Sequence, residues 1–265
     1  MKITIKTFVL FFALLFCSCS SAEAQIIVGA EQTDRYLPQL EGKRVAVLAN
    51  HTAMVGEQHL VDMLVAQEVN LVGIVSPEHG FRGTADAGEK VNSSVDSRTG
   101  VPIWSLYSAK GRNLTDEQLA AFDVMLVDMQ DVGLRFYTYY ITMVDVINRC
   151  ADFKRKVIVL DRPNPNGMYV DGPILDMKYK SGVGALPIPV VHGLTMGEIA
   201  VMAIGEGWCK KADVEVVPCK NYTHQSRYTL PIAPSPNLKT QHAIYLYPST
   251  CLFEGTVCSL GRGTD

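Results

Sequence analysis

The chain has 265 residues, of which 48% are hydrophobic and 19% charged, and its formal net charge is −3. A chain of this length and composition can bury a substantial core, as one large domain or two small ones. The small negative charge excludes the broad basic surface that nucleic-acid binding requires, so no nucleic acid is expected as a partner.

The N-terminus has the layout of an export signal. Two lysines precede the apolar run Phe8–Phe16, and small residues ending in Ala24 follow it. We therefore predict that residues 1–24 form a signal peptide cleaved after Ala24, and that the protein is periplasmic or secreted. Cleavage before Cys19, as in a lipoprotein, is the alternative, and only that alternative would attach the protein to a membrane. The apolar run is too short to span a bilayer comfortably.

Five cysteines follow the predicted signal peptide, an odd number without close pairs. This spacing argues against a zinc site or a dense disulfide framework. Cys209 with Cys219, or Cys251 with Cys258, could bridge in an oxidising compartment, but buried free thiols are the simpler expectation. No group of histidines and acidic residues has the spacing of metal ligands, so no metal is predicted.

From Lys43 onward, apolar runs alternate with amphipathic stretches. This alternation is typical of β/α units and predicts an α/β fold with a mainly parallel sheet. The predicted strands are Val45–Ala49, Leu71–Val75, Pro102–Leu106, Val124–Asp128 and Val157–Leu160, with further strands at Pro189–Val191 and, at the sheet edge, Asp213–Val217. The predicted helices are His59–Gln67, one capped by Thr115, one at Thr142–Asp152, and one capped by Thr195 that runs through Ala203.

Four predicted strands end in polar clusters, at Asn50–Thr52, Ser76–Arg82, Asp128–Tyr139 and Asp161–Asn166. A buried strand has no reason to end in carboxylates, amides, guanidinium groups and phenols unless its end lines a site. In an open α/β sheet, ligands bind beyond the carboxyl ends of parallel strands. The four clusters are therefore expected to meet at one pocket, and the chain is expected to be an enzyme.

Glu78 is the first candidate for a catalytic carboxylate. It follows a buried strand, next to His79 and a glycine, and a partly desolvated carboxyl there suits a general acid. A solvated loop glutamate paired with Arg82 is an equally good interpretation of the isolated pattern. Glu254, in a turn flanked by glycine, is a plausible partner for Glu78.

Asp128 and Asp131 lie close together at the end of one predicted strand. Paired carboxylates suit acid and base roles in glycoside cleavage, but an aspartate at a strand end also caps the following turn, and this structural role is slightly favoured for Asp128. Tyr137 and Tyr139 either stack on a sugar face or begin the next helix. The other candidate binding residues are Asn50, His79, Arg82, Gln130, Arg135, Arg162, Asn164 and His192.

Two of these candidates have clear structural alternatives. The prolines of Asp161–Asn166 present Arg162 and Asn164 rigidly, although Arg162 could equally form a local ion pair with Asp161. His192 follows a predicted strand, and a histidine in that position more often has a structural role than a catalytic one.

Several common catalytic motifs are missing from the sequence. No Gly-x-Gly-x-x-Gly pattern follows the first strand, and no Gly-Lys-Thr loop is present, so no nucleotide cofactor is expected. No Gly-x-Ser-x-Gly nucleophile elbow is present either.

Taken together, five segments resemble the NamZ family of exo-β-N-acetylmuramidases. The resemblance implies a secreted bacterial glycosidase that removes N-acetylmuramic acid from non-reducing ends of peptidoglycan fragments, so its partners would be peptidoglycan-derived disaccharides and glycan ends. It also implies a Rossmann-like domain, with helices on both faces of the sheet, and a smaller C-terminal domain that closes the cleft. The segments are Ser76–Gly83, Asp128–Tyr139, Leu160–Pro165, Phe253–Thr256 and Ser259–Thr264.

The family's cleft glutamate corresponds to Glu78, with Glu254 as the second choice. Family members continue past the Gly-Arg-Gly-Thr motif, whereas this sequence ends at Asp265. We therefore expect residues 25–265 to be the Rossmann-like N-terminal catalytic domain, without the C-terminal domain. A sugar- or peptidoglycan-binding module without chemistry is the alternative function.

Two further expectations follow from the resemblance. An arginine should bind the lactyl carboxylate of muramic acid, with Arg135 and Arg82 as candidates and Arg262 as the third. An apolar patch should be exposed around Tyr245–Tyr247 and Cys251–Phe253, where the absent domain would pack.

Overall fold

The computed structural model describes residues 24–78, 80–82, 94–107 and 113–261. Apolar runs form its strands, and each strand of the main sheet is short. In chain order the strands are β1 (Val45–Ala49), β2 (Met54–Val55), β3 (Gln58–His59), β4 (Leu71–Ser76), β5 (Ser94–Val95), β6 (Pro102–Ser105), β7 (Val124–Asp128), β8 (Lys156–Leu160) and β9 (Val214–Val217).

The helices alternate with these strands and begin at polar caps. Thr115 and Thr195 form capping boxes with Gln118 and Glu198, as the sequence predicts. Short 3₁₀ turns lie at Gly29–Glu31, Met177–Tyr179 and Cys251–Gly255. The α-helices are α1 (Thr33–Leu40), α2 (Leu60–Ala66), α3 (Asp116–Ala121), α4 (Tyr139–Asp152), α5 (Met196–Gly205) and α6 (Gln241–Thr250).

Seven strands form one sheet in the order β5-β6-β4-β1-β7-β8-β9. All neighbours pair in parallel apart from β5 and β6, which are antiparallel. From β6 to β9, the order in space corresponds to 3-2-1-4-5-6 of the Rossmann fold. The predicted fold class is thus confirmed, and β9 is the predicted edge strand. The direction of winding reverses at β1, so the crevice expected for a ligand opens beyond β1 and its neighbours.

The sheet is covered by helices on both faces because its strands alternate their side chains. Ala46 and Leu48 of β1 belong to one core with residues of α3, α4 and α5. Val45 and Val47 belong to a second core with residues of α1 and α2. Both cores lie on the faces of the sheet, and a third, smaller core packs Ile244 of α6 against Val132 and Leu134 of the loop after β7. The loops at the carboxyl edge are thereby positioned for a site.

Two local predictions differ from the structure. Residues 189–191 form no strand of the sheet; Val191 instead makes isolated bridges with Leu134 and Asp171, because β9 occupies the position next to β8. Helix α4 begins at Tyr139 rather than Thr142, since Tyr139 and Tyr140 are both buried and extend its apolar face.

All five cysteines in the described part of the chain are free thiols, and Cys150 and Cys251 are buried. Neither proposed disulfide is therefore present. None of the helices in the described ranges has the length and apolar character needed to cross a membrane. The exposed apolar patch predicted near α6 is present in part: Tyr245, Leu246 and Phe253 are 41%, 46% and 50% exposed, whereas Cys251 is buried.

Candidate active site

Glu78 lies two residues beyond β4, at the carboxyl edge of the sheet. Thr138, which precedes the first residue of α4, places its Oγ1 3.5 Å from Glu78 Oε2. Arg82, the partner considered in the sequence, instead contacts Asp96 and Asp62 at 3.0 Å and 3.3 Å. The N-terminus of α4 therefore meets the end of β4, and Glu78 faces this junction.

Glu78 lines a cleft of about 290 Å³, which we call the Glu78 cleft. Its walls come from the segment before α4, from residues 235–238, and from α6 with the turn that follows it. Polar and apolar side chains alternate along these walls, as is usual in ligand sites. The lining includes Glu78, Phe136, Tyr137, Thr138, Tyr139, Val183, Ser235, Asn237, Leu238, His242, Ala243, Leu246, Tyr247, Thr250, Glu254, Leu260 and Gly261.

Glu254, which lies far from Glu78 in the sequence, lines the same cleft. The hydroxyl of Tyr247 donates a hydrogen bond to Glu254 Oε1 at 3.3 Å. The structure thus brings together the two glutamates that the sequence singles out. Two carboxylates in one cleft are the minimum that most glycoside hydrolases need for acid–base or nucleophilic chemistry.

Tyr137 and Tyr139 lie side by side in the cleft wall, with ring centroids 4.9 Å apart in an edge-to-face arrangement. Tyr137 Oη donates to the carbonyl oxygen of Pro234 at 2.8 Å. Tyr139 begins α4, and its buried hydroxyl has no hydrogen-bond partner among the described residues. Burial raises the pKa of both phenols well above the usual range, so both stay protonated.

Asn50 follows β1 and is completely buried. Its Oδ1 accepts hydrogen bonds from the backbone N–H and the hydroxyl of Thr52, at 3.0 Å and 2.6 Å. The backbone N–H of Gln130 donates to Thr52 Oγ1 at 3.0 Å, which joins the ends of β1 and β7. The side-chain amide of Gln130 donates to the carbonyls of Asp131 and Pro163, so Gln130 holds loops rather than lining the cleft.

Asp128, at the end of β7, pairs with Arg162 rather than acting as a turn cap. The Arg162 Nε contacts Asp128 Oδ1, and Nη2 donates to Asp128 Oδ2 at 2.9 Å and to the Met54 carbonyl at 2.9 Å. Both side chains are buried. The local ion pair with Asp161 is not formed, because Asp161 accepts from Thr195 Oγ1 and Gly197 N at the start of α5.

Asn164 fixes the loop after β8 against the loop after β7. Its Oδ1 accepts from the backbone N–H of Asn166 at 2.8 Å, and its Nδ2 donates to the Leu194 carbonyl at 3.0 Å. Gly133 sits directly against this amide with φ +81°, and an added Cβ would lie 2.4 Å from Asn164 Oδ1. Only glycine fits this position, for both its backbone angle and its space.

Asp131 and His192 form a buried pair behind these loops, with Oδ1 and Nε2 3.8 Å apart. His192 Nδ1 accepts from the Leu194 N–H, so the ring proton is on Nε2. Burial raises the pKa of Asp131 to about 7 and lowers the pKa of His192 to about 4. Neither side chain lines the Glu78 cleft.

The two described arginine candidates, Arg82 and Arg135, lie away from the Glu78 cleft. Arg82 lines a separate depression with His51 and Arg98. Arg135 is buried, and its Nη1 donates to the carbonyls of Pro173 and Ile188 at 2.8 Å and 2.7 Å. Neither arrangement supports a role for these guanidinium groups beside Glu78, because their hydrogen bonds go to other parts of the protein.

His79 and Arg262 lie outside the described residues, as does most of the predicted signal peptide. Sequence reasoning did not single out Thr138 within the Asp128–Tyr139 cluster, and it missed Asn237 and His242; all three line the cleft. The aromatic and proline-rich stretch after residue 230 was the one signal for Asn237 and His242, but it has no pattern that specifies a site. Within the described ranges, no three His, Cys, Asp or Glu side chains are grouped so that they could hold a metal ion.

Residues 45–242 match the family described as exo-β-N-acetylmuramidase NamZ, N-terminal. The chain is 41% identical over 236 residues to the peptidoglycan β-N-acetylmuramidase NamZ of Bacillus subtilis strain 168, and the match covers 86% of the chain and 56% of that protein.

Two crystal structures of DUF1343 family proteins from Bacteroides fragilis NCTC 9343 are also similar. One has a TM-score of 0.83 at 58% identity and the other 0.79 at 35%. The matches cover 91% and 86% of this chain but 65% and 60% of those proteins, so the chain spans about three fifths of the relatives it matches. The family match covers about three quarters of the chain, and the fold agrees with it. The chain therefore belongs to the family of exo-β-N-acetylmuramidase NamZ N-terminal domains.

Proposed function

We propose that this chain carries the catalytic glutamate of a muramidase-type glycosidase that acts on peptidoglycan. One observation carries the proposal: Glu78 stands at the carboxyl edge of a Rossmann-order sheet, in one cleft with Glu254. The name of the Bacillus subtilis relative, a peptidoglycan β-N-acetylmuramidase, supports the substrate class. Release of N-acetylmuramic acid from non-reducing glycan ends, in cell-wall turnover, is the finer part of the proposal.

Glu78 is assigned the role of general acid, which protonates the glycosidic oxygen as the bond to the sugar breaks. Thr138 Oγ1, 3.5 Å from Glu78 Oε2, orients the carboxyl toward the cleft. Glu254 is assigned the second carboxylate role, and the hydroxyl of Tyr247 holds it in place. The aromatic side chains of the lining offer faces and edges against which a sugar ring can pack.

The test replaces each glutamate by its isosteric amide and measures hydrolysis of a chromogenic N-acetylmuramic acid glycoside. Glu78→Gln should fold normally and lose activity by about two orders of magnitude or more, because the acid is removed and the shape retained. Glu206→Gln, on the exposed end of α5, is the matched control and should keep full activity. Turnover of Glu78→Gln close to that of the unmodified protein contradicts the proposal.

The same assay separates the enzyme from a sugar-binding module. A protein that binds N-acetylmuramic acid but releases no chromophore, even when joined to the remaining portion of the Bacillus subtilis relative, is a binding module. Export belongs to the proposal as well. The mass of the protein recovered from the periplasm or medium should correspond to a chain that begins at Gln25, and a lipid-modified Cys19 would contradict cleavage after Ala24.

A further inference from the structure

Asn50 holds its amide in one orientation. Thr52 donates to Oδ1 through both its backbone N–H and its hydroxyl, so Oδ1 is the acceptor end of the side chain and Nδ2 the donor end. Nδ2 is buried and has no partner of ordinary hydrogen-bond geometry among the described residues. A completely buried amide donor that is left without a partner is costly, which indicates that it serves a group brought to it.

Tyr139 is the neighbour toward which this donor end is directed. Burial raises the pKa of the Tyr139 phenol, and a side-chain hydrogen bond from Asn50 lowers it by less, so the two side chains lie within reach of each other. Tyr139 Oη is likewise buried without a partner of ordinary hydrogen-bond geometry among the described residues, and its ring lines the Glu78 cleft. The neighbouring Tyr137 gives its hydroxyl hydrogen to the Pro234 carbonyl, and its oxygen makes no hydrogen bond of ordinary geometry with the Tyr139 hydroxyl. With an amide N–H behind it, the Tyr139 hydroxyl is left to donate its own hydrogen toward the cleft.

The surroundings of Tyr139 select the chemistry of an acceptor. No lysine or arginine is among the described residues that line the cleft, so a substrate carboxylate placed beside this hydroxyl would lack a counter-charge. The nearby wall includes Phe136, Leu238 and Ala243, which favour an apolar group. A neutral carbonyl oxygen that carries a methyl group meets both requirements. The acetamido group of an N-acetylated amino sugar has this structure.

We propose that Tyr139, oriented by the Asn50 amide, donates a hydrogen bond to the 2-acetamido carbonyl oxygen of the sugar bound in the Glu78 cleft. This inference rests on the proposed function, because it assigns a group of that substrate. Tyr139 becomes a residue that determines specificity, and Asn50 becomes a positioning residue that does not touch the substrate. The lactyl carboxylate is then directed to another part of the cleft.

The test compares chromogenic glycosides of N-acetylmuramic acid and of muramic acid, which has a free amine in place of the acetamido group. The unmodified protein should prefer the N-acetylated glycoside. Tyr139→Phe should lower kcat/KM on that glycoside by about tenfold or more and leave the muramic acid glycoside within about twofold, so the preference collapses. Its melting temperature should fall by less than that of Tyr137→Phe, since the Tyr139 hydroxyl makes no hydrogen bond of ordinary geometry with a described residue.

Tyr137→Phe is the matched control. It also removes one phenol hydroxyl, but that hydroxyl donates to the backbone carbonyl of Pro234. It should change both glycosides by the same factor and lower the melting temperature. Retention of the full preference by Tyr139→Phe overturns the inference and leaves the glycosidase proposal standing. If the unmodified protein neither hydrolyses nor binds either sugar, measured by titration calorimetry, the proposed function itself fails.

Discussion

Two regions at the carboxyl edge of the sheet use similar residues in different ways. In the first, which we call the framework, the buried Asp128, Gln130 and Arg162 form hydrogen bonds between the loops after β7 and β8, and the buried Asn164 packs against Gly133. In the second, the Glu78 cleft, Tyr139 has a buried hydroxyl that no described residue satisfies. The comparison distinguishes residues at strand ends that hold the loops together from a residue whose polar group faces the cleft.

The division has a physical cause. A buried polar group without a partner costs free energy, so a site can contain only a few such groups and its supports must be fully bonded. Substitutions in the framework should therefore lower stability, whereas substitutions in the cleft should lower activity or specificity at little cost in stability. The predictions below test the framework side, and the variants of Glu78 and Tyr139 test the cleft side.

The largest effect on stability is expected from Arg162→Met. It leaves Asp128, which is 0% exposed, as an unpaired buried charge, and removal of one partner of a buried ion pair typically costs about 3–5 kcal/mol. Urea denaturation measures the free energy of unfolding. Lys178→Met, which removes one partner of the exposed pair with Asp176, is the control and should cost less than about 1 kcal/mol. Similar losses in the two variants would show that the buried ion pair of the framework stabilises the protein no more than an exposed ion pair does.

A smaller, pH-dependent effect is expected from Asp131→Asn. The pKa of Asp131 rises from about 3.8 to about 7 on folding, so the stability of the unmodified protein falls as pH rises through this window. The amide cannot ionise, and the variant should gain a few kcal/mol relative to the unmodified protein at pH 8 but little near pH 4. Denaturation at several pH values measures this difference.

His192 gives a pH dependence of the opposite sign. Its pKa falls from about 6.5 to about 4 on folding, so its contribution to stability is present above pH 6.5 and lost toward pH 4. The Asp131→Asn variant and the unmodified protein both contain His192, so the contribution of His192 cancels when their free energies of unfolding are compared. A difference in unfolding free energy that stays constant from pH 4 to pH 8 would mean that Asp131 is ionised in the folded protein throughout.

Much of the fold could be predicted from the sequence because it depends on local patterns. Apolar runs predicted β1, β4, β7 and β8, and the threonine caps of α3 and α5 were recognisable from residues three positions apart. The parallel sheet then placed the four polar clusters at one edge. The strand predicted at 189–191 was wrong, because a short apolar run does not specify whether it pairs with the sheet or with loops.

The candidate site was less predictable because its contacts join distant parts of the chain. Arg162 has Asp128 as its partner, 34 residues away, rather than the adjacent Asp161, and no local pattern distinguishes these choices. Thr138 approaches Glu78 across 60 residues. The residue pattern singled out the two glutamates, and the family resemblance pointed to the same pair. The division between framework and cleft depends on how the loops pack in three dimensions, which no local pattern specifies.

The smallest effect is expected from Gly133→Ala, which tests how tightly the framework is packed. Gly133 has φ +81°, and a methyl group there would lie 2.4 Å from Asn164 Oδ1. Gly42→Ala is the matched control, since its φ is +66° and nothing lies within 4 Å of the added Cβ. Both variants carry the backbone strain of about 1 kcal/mol, but Gly133→Ala must also displace the Asn164 amide, so it should lose roughly 1–3 kcal/mol in total. Equal losses in unfolding free energy would show that Asn164 moves at no cost, and that the loops after β7 and β8 are not locked together.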